Sequence, residues 1–126
     1  MKKEVKNTAR IEYLQAVCDS QISPVEVFMK QQETPGSYYV IDVRIGPKQV
    51  RGVKILGAVE IPLPELPQHF AGLPRDKKIA VATWGTQCTL AKAASLMLLN
   101  AGYDVIEIGG GLAAWKESGL PTEPVA

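Results

Sequence analysis

The chain has 126 residues and a formal net charge of +1, which leaves room for one domain with one modest core and supplies no field to draw it to nucleic acid or an anionic membrane. With 46% apolar and 21% charged residues it has the composition of an ordinary globular chain, and no apolar stretch is long enough to span a bilayer. Two cysteines and one histidine, without metal-ligand spacing, give no reason to expect a metal or another cofactor, and such thiol usage suits a reduced, cytoplasmic setting.

Met1-Lys2-Lys3 is basic, but no apolar run follows, so no signal peptide is expected. Ile11, Leu14, Val17 and Cys18 recur at helical spacing and predict an N-terminal helix over 8–20. Cys18 is expected to pack on its apolar face; the alternative, a resolving thiol for Cys88, requires a proximity that spacing does not show. Ser23-Pro24-Val25-Glu26 reads as a helix start, with Ser23 as cap, Pro24 at the first helical position and Glu26 closing a capping box. That helix is predicted to reach about Gln32, before the turn Thr34-Pro35-Gly36.

Tyr38-Tyr39-Val40-Ile41-Asp42-Val43 is aromatic and β-branched, hence a strand, and Arg44 follows it. Carboxyl ends of buried strands are where open α/β sheets hold functional groups. Asp42 either serves there or caps a turn or pairs with an arginine. Arg44 either faces the loop at 83–88 and holds an anion or is solvated. Residues 45–58 predict a loop or short irregular helix, and Ala58-Val59-Glu60-Ile61 a short strand. Pro62, Pro64 and Pro67 bracket a short helical segment near His69, which reads as a surface residue.

Lys78 to Ala101 is the stretch that organises the chain. Ile79-Ala80-Val81-Ala82 reads as a strand buried on both faces, and Leu90 to Leu99 as an Ala- and Leu-rich helix stopped by Gly102. Between them lies Thr83-Trp84-Gly85-Thr86-Gln87-Cys88-Thr89. A strand, a tight loop and a helix start bring backbone N–H groups together on an anion, and the helix dipole favours a thiolate in the same place. Cys88 is therefore the candidate nucleophile, and Trp84, Gly85, Thr86, Gln87 and Thr89 the candidate anion-binding residues. Gly102 to Ile108 then forms a strand, Gly109-Gly110-Gly111 a sharp turn, and Leu112 to Glu117 a short helix with Trp115 in the core; the tail past Pro121 is expected to fray. Alternating strands and helices argue for a parallel sheet covered on both faces.

Four of these segments, in this order, resemble a single-domain rhodanese: Asp42-Val43-Arg44; Gly57-Ala58-Val59-Glu60-Ile61-Pro62-Leu63; the strand–loop–helix at 79–100; and Gly110-Gly111-Leu112-Ala113-Ala114-Trp115-Lys116 with Gly119-Leu120-Pro121. The resemblance covers about residues 22–122. It implies an α/β domain with a five-stranded parallel sheet flanked by helices, occupying 22–126 behind an N-terminal helical extension at 1–21. It further implies transfer of sulfane sulfur from a donor such as thiosulfate to a thiophilic acceptor, through a cysteine persulfide.

The sequence departs from that pattern at the reacting position. In the family the cysteine directly follows the central strand; by register that place is Thr83, whose hydroxyl cannot carry a persulfide. Thr83-Trp84-Gly85-Thr86-Gln87-Cys88 resembles the extended Cys-Trp-Gly-Pro-x-Cys loop of some rhodanese-like proteins with the first cysteine lost, and Cys88 matches the second. The family's arginine late in the loop is absent, Lys54 stands where a histidine is frequent, and the acid after the Asp-Val-Arg strand end is missing. Asp42 and Arg44 carry over. The leading expectation is a weakly active or catalytically silent module of sulfur metabolism or regulation, binding a small sulfur-containing anion or a thiol acceptor protein. The alternative is a sulfurtransferase using Cys88. Phosphatase or arsenate-reductase chemistry ranks last, because it requires a cysteine at the loop's start and an arginine at its end.

Overall fold

A computed structural model describes residues 7–126; the basic residues Met1-Lys2-Lys3 lie outside the described part. Helix α1 (Thr8–Ser20) runs straight into β1 (Gln21–Ile22). Then come α2 (Pro24–Glu33), β2 (Tyr38–Asp42), α3 (Lys48–Arg51), β3 (Val53–Ile55) and β4 (Val59–Glu60). After α4 (Leu66–His69), flanked by 3-10 turns, follow β5 (Lys78–Ala82), α5 (Leu90–Asn100), β6 (Val105–Ile108), α6 (Gly111–Glu117) and β7 (Thr122–Pro124).

Five strands form one parallel sheet in the order β1-β6-β5-β2-β4. The expected α/β architecture, a five-stranded parallel sheet flanked by helices, is what forms. Its central strand β5 is paired with β2 over its whole length, Tyr38 to Asp42 against Lys78 to Ala82. Side chains alternate across the pleat, and each face of the sheet has its own core. Ile41, Ile79 and Val81 pack with Ala91, Ala94 and Leu98 of α5 and Leu66 of α4. Val40, Ala80 and Ala82 pack with Val27 of α2 and Leu112 and Trp115 of α6. A continuous apolar run in β5 follows from this double burial, since water reaches neither face.

The start of α2 is as predicted. Ser23 Oγ accepts from the Glu26 N–H at 3.1 Å and donates to the Glu26 carboxylate at 3.1 Å, a cap of about 1 kcal/mol. Trp115 is buried and donates from Nε1 to the Pro121 carbonyl at 2.7 Å. His69 is exposed, as expected.

Three expectations are corrected. Cys18 does not pack on a buried face: it is exposed, and no residue of α1 is buried. The edge strand β1 is two residues long and covers little of α1, so Ile11 and Leu14 remain 53% and 56% exposed. Residues 45–58 contain β3 as well as a helical turn. And the tail does not fray, because β7 pairs antiparallel with β3 in a second small sheet and Val125 is buried. The strand β1 is an element that short-range patterning missed; Gln21 pairs with Glu107 and Ile22 with Ile108. Among the described residues no helix is long and apolar enough to cross a membrane.

Candidate functional site

The buried run of β5 delivers the chain to Thr83, which is 2% exposed. Thr83 cannot turn outward, because α6 holds its backbone: the Leu112 N–H donates to the Thr83 carbonyl at 2.8 Å and the Ala113 N–H to the Trp84 carbonyl at 3.0 Å. That approach is possible only because Gly110 and Gly111 have φ of +76° and +56° and no side chain. A Cβ on Gly111 would lie 2.3 Å from the Thr83 carbonyl oxygen, and one on Gly110 2.4 Å from the Ala114 Cβ. The glycine run was legible as a turn; its role in clamping the loop was not, since no local signal marks a contact between residues so far apart in the chain.

Beyond Thr83 the loop doubles back, with the Cys88 N–H donating to the Gly85 carbonyl at 3.2 Å. Helix α5 begins two residues later at Leu90. The turn brings the Cys88 sulfur to 3.1 Å from the Thr83 hydroxyl. Partial burial raises the Cys88 pKa, but the Thr83 hydroxyl and the backbone N–H groups of Leu90 and Trp84 more than offset it, so the thiol lies below its ordinary value. The sulfur is half-buried between the end of β5 and the start of α5, and Cys88 is not among the buried core residues. Trp84, Gly85, Thr86, Gln87 and Cys88 line an open depression of about 440 Å³ with Ala113 on its far side. Thr89, at the helix cap, is exposed and makes no side-chain cap. No lysine or arginine lines the depression.

Asp42 and Arg44 lie beside the loop, in contact with it through Trp84. Asp42 pairs with an arginine, as one of its two readings had it. Arg44 is 2% exposed, and its Nε donates to both Asp42 carboxylate oxygens at 2.9 Å. Its Nη2 reaches the Val53 carbonyl at 2.7 Å and its Nη1 the Arg51 carbonyl at 3.1 Å. Neither expectation for Arg44, anion holder or solvated side chain, describes this arrangement. The guanidinium is spent on fixing β2 to the segment that leads into β3, and the indole of Trp84 lies over it with 4.5 Å between the guanidinium carbon and the ring centre. Lys54 is likewise committed elsewhere: its Nζ donates to the Ala58 carbonyl and pairs with Glu123 at 3.1 Å.

With this geometry in view, comparison with known proteins identifies the class. The rhodanese-like domain family matches residues 25–118. Within that match Thr83 occupies the catalytic-loop position, so the active site is atypical. A crystallised full-length protein of Lactobacillus plantarum is 35% identical, with a TM-score of 0.88 over 94% of this chain and 99% of that one. A rhodanese-related protein of Thermoplasma volcanium is 26% identical, with a TM-score of 0.70 over 84% of this chain and 99% of that one. The HTH-type transcriptional regulator Rv0324 of Mycobacterium tuberculosis is 32% identical over 88 residues. Those residues are 70% of this chain, and they span 38% of that regulator. The chain belongs to the rhodanese-like domain family. It is a rhodanese-like domain with a threonine at the reacting position, a composition consistent with weak or absent sulfurtransferase activity.

Proposed function

We propose that this domain binds a small oxyanion or sulfur-containing anion, or the thiol-bearing loop of a partner protein, at the depression over residues 84–88, and turns over little or no sulfur. The carrying observation is the Thr83–Cys88 contact. The base of the loop holds a hydroxyl, and the thiol that remains lies against it, its pKa lowered by that hydroxyl and by the backbone N–H groups of Leu90 and Trp84. The residues that line the depression bring no side-chain cation to an incoming anion, which favours weak, reversible binding over tight capture. The similarity to part of a transcriptional regulator supports a regulatory setting, and the free thiols suit a reducing compartment.

Titration with thiosulfate, sulfate and phosphate tests this through the fluorescence of half-buried Trp84, with Trp84→Phe as control for buried Trp115. A saturable response to an anion, absent from the control, supports anion binding. No response to any anion leaves the partner protein as the occupant.

A second reading has one observation in its favour, the lowered pKa of Cys88. The Cys88 thiolate would attack the outer sulfur of thiosulfate. The S–S bond breaks, sulfite leaves with the electron pair, and the persulfide then passes its terminal sulfur to an acceptor thiolate. On this reading any thiosulfate:cyanide activity disappears in Cys88→Ser and survives Thr83→Ala. Activity that persists in Cys88→Ser removes Cys88 as the carrier.

A further inference from the structure

We infer that the occupant of the loop depression is an extended, acidic segment of a partner protein, which runs across Trp84 into a second cleft where Lys116 meets its carboxylate. The inference rests on the reading above, in its partner-protein form. Trp84 and Ala113 line the loop depression and also a neighbouring cleft of about 390 Å³. The two hollows are therefore contiguous, with the indole as part of the wall between them. That indole is held in place by the Arg44 guanidinium packed against it. A fixed, half-buried tryptophan between two open hollows is the kind of residue that anchors a protein contact. A small oxyanion reaches one hollow; an extended chain, rising about 3.3 Å per residue, reaches both.

Charge specifies the segment. No lysine or arginine lines the loop depression, whereas Arg51 and Lys116 line the second cleft. Arg51 is spent within the protein: its Nε donates to the Gly46 carbonyl at 2.9 Å and its Nη1 pairs with Glu60. Lys116 is exposed and, among the described residues, forms no ion pair. Lys48, one turn before Arg51 on α3, is exposed and unpaired in the same way. Glu60 is used by Arg51 and by the Ala126 N–H, and Glu117 does not line the cleft, so the uncancelled charge on this side is positive. Between the cations the lining is apolar: Val50 is 63% exposed and Val53 half-buried. An apolar centre with a charged rim is how protein interfaces are built, and this one asks for an aliphatic side chain beside a carboxylate. A basic segment would meet like charge at Lys116.

The test is an NMR titration of the full chain, under reducing conditions, with the peptide acetyl-Glu-Leu-Gly-Cys-Gly-Leu-Glu-amide, whose side chains read alike in either direction. Saturable shifts are expected at the Thr86 and Gln87 amides of the loop and at the Val50 and Val53 methyls of the cleft. The same peptide with Gln in place of Glu should bind about threefold more weakly, the worth of one exposed ion pair. Lys116→Gln, a change at an exposed position, should weaken the Glu peptide by the same factor and leave the Gln peptide unchanged. Lys116→Glu should prefer the peptide with Lys in place of Glu. Saturable loop shifts without cleft shifts would overturn the inference and leave the loop reading standing, whereas shifts at neither set would remove both. Equal affinity for the Glu and Gln peptides, or an unaffected Lys116→Gln variant, would overturn the acidic assignment.

Discussion

The Thr83 hydroxyl and the Cys88 sulfur lie 3.1 Å apart across a loop that α6 holds by its first N–H groups. The contact joins the place where the family keeps its cysteine to the thiol that this chain has instead. Its consequence is electrostatic: a hydroxyl donating to sulfur favours the thiolate. Thr83→Val keeps the shape and removes the donor. The pH profile of Cys88 alkylation should then move to higher pH than in the parent chain, and Thr83→Ser should restore it. Mapping by mass spectrometry separates Cys88 from exposed Cys18. Superimposable profiles for the parent and Thr83→Val would remove the hydroxyl from the account.

The Asp42–Arg44 pair is predicted to matter for stability more than for ligand binding. Both groups are buried, and removing one leaves the other charged and without its partner, a loss of about 3 to 5 kcal/mol. Urea unfolding of Arg44→Met should show a loss of that order. Trp84 should also move toward water, because its ring loses the guanidinium beneath it. A change below about 1 kcal/mol would show that the pair is not the strut described.

Gly111 tests the clamp. A methyl group there meets backbone rather than a yielding side chain, at a φ that L residues rarely adopt. Gly111→Ala should cost roughly 1 to 3 kcal/mol and alter Trp84 emission and Cys88 reactivity together. Gly57 also has positive φ, but nothing lies within 4 Å of a Cβ built on it. Gly57→Ala should therefore lose stability and leave the loop readouts unchanged.

Acid should release the small β3–β7 sheet. Burial raises the Glu60 pKa, but the Ala126 N–H and Arg51 more than offset it, and the Gly57 N–H and Lys54 lower that of Glu123. Both carboxyls are therefore held below 4.5 in the folded chain. Unfolding takes up protons as the pH falls past that value. The stabilisation is complete above it and is lost as pH falls through the lower folded values. Hydrogen exchange should show the amides of Leu56 and Val125, which bond to the Pro121 and Gly52 carbonyls, losing protection in acid before those of β5. Simultaneous loss would show that the two sheets open as one unit.

How much of this was legible in the sequence depends on how local its cause is. The unit from β5 to α5 was readable because a continuous apolar run, a polar loop and a glycine stop are all local signals. The capping box at Ser23 and the core place of Trp115 were readable for the same reason. β1 was not, because two residues carry no period, nor was the β3–β7 pairing, which joins short segments far apart in the chain. Cys18 had the right spacing on a helix whose apolar face found no cover. Arg44 could not be assigned because its carbonyl partners, Arg51 and Val53, are fixed by the fold and not by residue type. The Thr83–Cys88 contact needed the loop to double back, and the side chains give no sign of how tightly it does.

The most direct test of the central claim is mass spectrometry of the reduced full chain after incubation with thiosulfate and removal of the excess. The account predicts an unmodified mass, with the anion bound reversibly or not at all. A gain of one sulfur mapping to Cys88 would contradict it and make this threonine-bearing domain a sulfur carrier.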